Sequence, residues 1–97
     1  MENFSSKNLV LDYRKIVFTS ENGIGIRLAG GNKVGIFVCD VQYNGPAERA
    51  GLKIADKIVQ VNGLDYTNFT REEAVQHILS VQNNIIEMIV AHSPEGN

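Results

Sequence analysis

Gly23-Ile24-Gly25-Ile26 sets two glycines in alternation with two β-branched residues. Paired glycines let a loop expose several backbone N–H groups in one direction, forming a concavity that favours an anion. Ile24 and Ile26, two residues apart at the start of an expected strand, point to one side and can wall an apolar pocket beside that anion. A carboxylate next to a hydrophobic side chain is what the end of a protein chain presents. The plainer alternative is that the glycines only shape a hairpin, and the tetrapeptide alone does not separate the two. A dinucleotide or phosphate loop fails on context: Leu28 stands where G-x-G-x-x-G needs its third glycine, no helix follows, and there is no Gly-Lys-Ser/Thr.

Outward from this stretch, Lys15–Phe18, Ile24–Leu28, Gly35–Val41, Lys57–Val61 and Ile85–Val90 are short β-branched runs separated by turn residues, which predicts five or six strands. Asn44–Gly51 places Pro46 at a first helical position and Gly51 past the end, the pattern of a short helix. Asn62-Gly63 marks a tight turn. Thr70 and Glu73 form a capping box, with Phe69 placed to staple onto Ala74, so a longer helix is expected from Thr70 to about Val81. Its apolar stripe is Ala74, Val75, Ile78, Leu79 and Val81, of which Ala74 and Leu79 are assigned to the core. The fold class is α+β, with an ordered domain over 9–91 and flexible flanks at 1–8 and 92–97.

At 97 residues the chain has room for one core, and a net charge of −2 gives no bulk attraction to nucleic acid or anionic lipid. Its apolar runs are far shorter than the roughly 20 residues that span a bilayer. The opening residues lack a basic start and an apolar stretch, and the lone Cys39 excludes an internal disulfide, which points to a reducing, cytoplasmic setting. Neither a metal nor a cofactor is expected: His77 has no Cys, carboxylate or second His at ligand spacing, and His92 falls in the expected tail. An enzyme would need a nucleophile with a base, and Cys39 and His77 are separated by the expected fold with no third group. No enzymatic activity is expected.

The order of parts resembles a PDZ domain. Gly23-Ile24-Gly25-Ile26 stands where that family has Gly-Leu-Gly-Phe, and Gly45-Pro46-Ala47 and Ala50-Gly51-Leu52 match its short-helix segment. Asp56-Lys57-Ile58-Val59-Gln60-Val61-Asn62-Gly63 matches Gly-Asp-x-Ile-x-x-Val-Asn-Gly, with Ala55 in place of the usual glycine. Ile26–Asn32, Val34–Val38 and Thr70–Val75 are similar to the third PDZ domain of the zonula occludens (tight-junction MAGUK) scaffolds.

The resemblance implies a small, partly open antiparallel β-barrel or sandwich of five to six strands with one short and one longer helix. It also implies a scaffold module that binds the free C-terminal peptide of a membrane-associated partner by β-strand addition, a mode of which PDZ domains are a standard example. The carboxylate-binding loop would be Gly23, Ile24, Gly25 and Ile26, and the groove would take in Arg27, Leu28, Cys39, Arg71, Val75 and Ile78. Arg27 and Cys39 read equally well as a surface charge and a small strand residue.

Two positions depart from the family pattern. Thr19 replaces a Lys or Arg that helps hold the carboxylate, and Arg71 replaces a His that favours Ser or Thr two residues before the ligand's end. A hydrophobic residue is expected there, with an acidic one second. Expected partners are the C-terminal tails of transmembrane adhesion or junction proteins, met at the cytoplasmic face of the plasma membrane or cell junctions. Self-association, by pairing of strand edges or exchange of a strand between two copies of a junctional scaffold, stays open. Scattered Lys and Arg give phosphoinositide binding little support.

Overall fold

The computed structural model describes residues 12–20, 23–31 and 33–92. Of the expected flanks at 1–8 and 92–97, residues 1–8 and 93–97 lie outside the described residues, as does Asn32 of the glycine-rich turn. The elements are β1 (Asp12–Thr19), β2 (Ile26–Gly30), β3 (Ile36–Val41), α1 (Pro46–Arg49), β4 (Lys57–Val61), β5 (Leu64–Asp65), α2 (Arg71–Ser80) and β6 (Ile85–His92). They form one antiparallel sheet in the order β1-β6-β4-β3-β2, with β5 added to β4. The sheet stays open and does not close into a barrel. β1 and β2 are its two outer strands.

Period-two alternation positions the core. Ile16 and Phe18 of β1, Ile36 and Val38 of β3, and Ile86, Met88 and Val90 of β6 are buried, whereas Val17 and Ile85 are exposed; in β4 a register shift between Ile58 and Gln60 breaks the alternation and brings Ile58 and Val61, three apart, both into the core. Each such buried aliphatic side chain contributes roughly 1.5–3 kcal/mol over its exposed state. Leu52, Tyr66 and, from α2, Ala74 and Ile78 close the cluster. Burial raises the Tyr66 phenol well above its ordinary pKa, and its hydroxyl meets His77 Nδ1 at 2.8 Å. His77 therefore serves as a packing partner behind the helix.

β2 begins two residues later than the β-branched run suggests. Gly23 and Gly25 take φ of 93° and 73°, left-handed values that cannot continue a strand ladder, so pairing starts at Ile26 opposite Val41. The strand then runs on to Gly30, with a bulge between Arg27 and Leu28. Asn62 and Gly63, both left-handed (φ 48° and 84°), turn the chain from β4 into the two-residue β5.

The capping box of α2 is present in full: Thr70 Oγ1 accepts from Glu73 N at 3.1 Å, and the Glu73 carboxylate accepts from Thr70 N at 2.8 Å. Phe69 stacks its ring on Tyr66, centroids 4.9 Å apart. His92, expected in the tail, is the last residue of β6 and places Nδ1 3.0 Å from the buried Asp56 carboxylate.

Candidate functional site

β2 is an outer strand, and α2 lies along its open edge. The two run so that the start of α2 meets the end of β2: a Cβ on Gly31 would stand 2.8 Å from Arg71 N. Between them lies a cavity of about 280 Å³, lined on one side by Ile24, Ile26, Arg27 and Leu28 and on the other by Arg71, Val75, Ile78 and Leu79. Residues 71, 75 and 78 follow the i, i+4, i+7 spacing that brings side chains to one helical face. Leu28 and Ile78 are buried, and Ile24, Ile26 and Val75 are half-buried against the core. The result is an aliphatic trough with an arginine at the α2 N-terminal end and the glycine loop at the other.

Gly25 carries the loop's shape. Its carbonyl accepts from Gln42 N at 2.7 Å, anchoring the loop just past the end of β3, and a Cβ on it would lie 3.1 Å from Gln42 Oε1. Among the described residues nothing lies within 4 Å of such a Cβ on Gly23, so among them only its backbone angle calls for glycine there. The amides of Ile24 and Gly25 have no hydrogen-bond partner among the described residues. Two free donors beside an apolar trough suit a carboxylate attached to a hydrophobic side chain.

Two cations of β1 are committed away from the groove. Arg14 Nη2 donates to both Asp56 carboxylate oxygens at 3.1 Å, and Lys15 pairs with Glu87 at 2.8 Å. Thr19 ends β1 opposite Ile85. Arg27 lies on the groove rim, and also borders a shallower hollow with Gly25, Asp40 and Gln42. Arg71 is not paired with a neighbouring Glu; its Nε donates to the Leu28 carbonyl across the groove at 3.1 Å.

Of the residues singled out from sequence, Ile24, Ile26, Arg27, Leu28, Arg71, Val75 and Ile78 come together in this cavity. Cys39 does not line it, and stands exposed on β3. Leu79, assigned to the core, is 48% exposed and lines the groove instead. It sits eight residues after Arg71 and so falls on the same face. The stripe alone could have shown this had that face been drawn from Arg71, not from the buried Ala74. Gln42 carries no sequence signal for this role, because nothing local ties a residue just past β3 to a loop seventeen positions earlier.

Among the described residues no His, Cys, Asp and Glu gather closely enough to hold a metal ion, and no helix is long and apolar enough to cross a membrane.

The family model described as PDZ domain matches residues 15–91. The chain is 45% identical over 86 residues, 89% of its length, to mouse tight junction protein ZO-3, of which it covers 10%. It is 47% identical over 66 residues, 68% of its length, to mouse tight junction protein 1, of which it covers 4%. The chain thus spans a tenth or less of these curated relatives. Among solved structures, the PDZ domain from choanoflagellate SHANK1 bound to a GIRK3 peptide superposes with a TM-score of 0.78 at 25% identity, covering 86% of this chain and 94% of that one.

Proposed function

The chain belongs to the PDZ domain family, a family of non-enzymatic protein-interaction modules, and on that premise we propose that the trough between β2 and α2 receives the free C-terminus of a partner protein. The carrying observation is that the amides of Ile24 and Gly25 have no hydrogen-bond partner among the described residues and stand beside an aliphatic cavity. The ligand adds as an antiparallel strand to the open edge of β2. Its carboxylate accepts from the amides of Ile24, Gly25 and Ile26, and its last side chain lies among Ile24, Ile26, Leu28 and Ile78. Aliphatic walls select Val, Leu or Ile. Two residues earlier the ligand faces Arg71, whose apolar stem suits a hydrophobic residue and whose guanidinium suits an acidic one.

Similarity to tight-junction proteins supports partners among the C-terminal tails of transmembrane adhesion or junction proteins, and a place at the cytoplasmic face of cell junctions. A short peptide ending in Val should bind with a Kd of roughly micromolar, about −8 kcal/mol. Calorimetry with the same peptide amidated at its C-terminus tests the reading. Amidation should remove most of the affinity, and equal binding of the two peptides would refute carboxylate capture. A second reading, pairing between copies through β1, rests on β1 being the sheet's other outer strand. Light scattering over a concentration series distinguishes monomer from dimer.

A further inference from the structure

We propose that Arg71 is a latch on the groove, holding the Leu28 carbonyl when the groove is empty and surrendering it most readily to a ligand with an acidic side chain two residues before its end. The inference rests on the strand-addition reading above. Strand addition uses the polar backbone groups along the open edge of β2. The Leu28 carbonyl turns toward α2 and is already occupied by Arg71 Nε–H at 3.1 Å. The arrangement is built in: left-handed Gly31 (φ 103°) lets the backbone of Arg71 approach so closely that any Cβ would be 2.8 Å from its amide nitrogen. Arg71 forms no ion pair among the described residues, and the nearby Glu73 carboxylate is taken by Thr70 N. The carbonyl is therefore the guanidinium's only hydrogen-bond partner among them.

A peptide N–H that pairs with Leu28 competes with Arg71 for the outward side of that carbonyl. With an aliphatic side chain at the facing ligand position, the guanidinium is left to water and the exchange gains little. With a carboxylate there, the displaced guanidinium acquires a charge-assisted partner as the peptide takes the carbonyl. Arg71 thus opposes one ligand class and favours the other, whereas a purely attractive arginine would favour the acidic class and leave the other untouched.

The test uses two hexapeptides with free C-terminal Val, identical except for Val or Glu third from the end, titrated calorimetrically into the wild-type domain and Arg71→Met. Methionine keeps the apolar stem and helix propensity but removes the donor and the charge. Arg71→Met should tighten the Val peptide and weaken the Glu peptide, each about fivefold, the scale of one exposed charged contact. An unchanged or weakened Val peptide overturns the latch. In the free wild-type domain the Arg71 Nε–H proton should also exchange with water more slowly than that of a solvated arginine, and exchange at the solvated rate overturns the latch as well. The amidated Val peptide is run in parallel. If it binds the wild type like the free acid, carboxylate capture itself fails and the latch with it; if the free acid is required but Arg71→Met shifts neither peptide, only the latch fails.

Discussion

Arg14 and Asp56, 42 residues apart, join the outer strand β1 to the turn before β4: Nη2 of Arg14 donates to both carboxylate oxygens at 3.1 Å, and Asp56 is fully buried. The same carboxylate accepts from Lys53 N at 2.9 Å and meets His92 at the end of β6. Both residues that close the β1–β6 end of the sheet thus converge on one buried anion. Arg14→Ala leaves that anion short of its main countercharge, which should cost about 3 kcal/mol and lower the thermal midpoint by on the order of 10–20 °C. Peptide affinity at 25 °C should be unchanged, since Arg14 lies away from the groove. A loss below about 1 kcal/mol in urea denaturation would show the pair to behave as a surface contact.

Ala55, exposed in the turn before Asp56, holds φ of 80° while its amide donates to Val38 O at 2.7 Å. A left-handed non-glycine residue costs about 1–2 kcal/mol, and glycine there forfeits about 0.4–1 kcal/mol through a looser unfolded chain. The difference favours glycine. Ala55→Gly should stabilise the domain by about 0.5–1 kcal/mol, read from the urea midpoint at constant slope.

The two loop glycines should differ on substitution. Gly25→Ala adds a Cβ 3.1 Å from Gln42 Oε1 at φ 73°, whereas Gly23→Ala, at φ 93°, meets nothing within 4 Å among the described residues. Both carry backbone strain of about 1–2 kcal/mol, but only Gly25→Ala also disturbs the anchor to Gln42. Affinity for a Val-ending peptide should fall about tenfold or more with Gly25→Ala and less with Gly23→Ala. Calorimetry on both folded variants decides; equal losses would remove Gln42 from the account.

Leu79 and Ile78 are neighbours with different duties. Ile78 is 2% exposed and Leu79 48%. Ile78→Ala should destabilise the fold by about 2–4 kcal/mol through lost burial and a cavity. Leu79→Lys should leave stability within about 0.5 kcal/mol while weakening an aliphatic-ended peptide several-fold. A thermal scan and one titration on each variant separate the two roles.

Much of the molecule follows from local sequence. Alternating apolar residues specify the strands, Pro46 and Gly51 bound the short helix, and Thr70 with Glu73 starts the long one where the sequence places it, because these signals act within a few residues of themselves. The glycine loop and the 71, 75, 78 spacing likewise mark the groove's two walls in the sequence. Folding settles how those walls are held and what their polar groups already do. The left-handed turn at Gly25 delays β2 to Ile26, and Gln42, just past the end of β3, fixes that loop. Asp56 gathers Arg14 and His92 from opposite ends of the chain. Leu79 moves from core to groove because a helix buries the face its neighbours cover, and sequence does not say which neighbours those are. Gly23-Ile24-Gly25-Ile26 determined what kind of site could exist here, since backbone donors and β-branched walls are local properties. That Arg71 rests on the Leu28 carbonyl was settled by folding alone, since that contact needs a strand and a helix brought together from 43 residues apart.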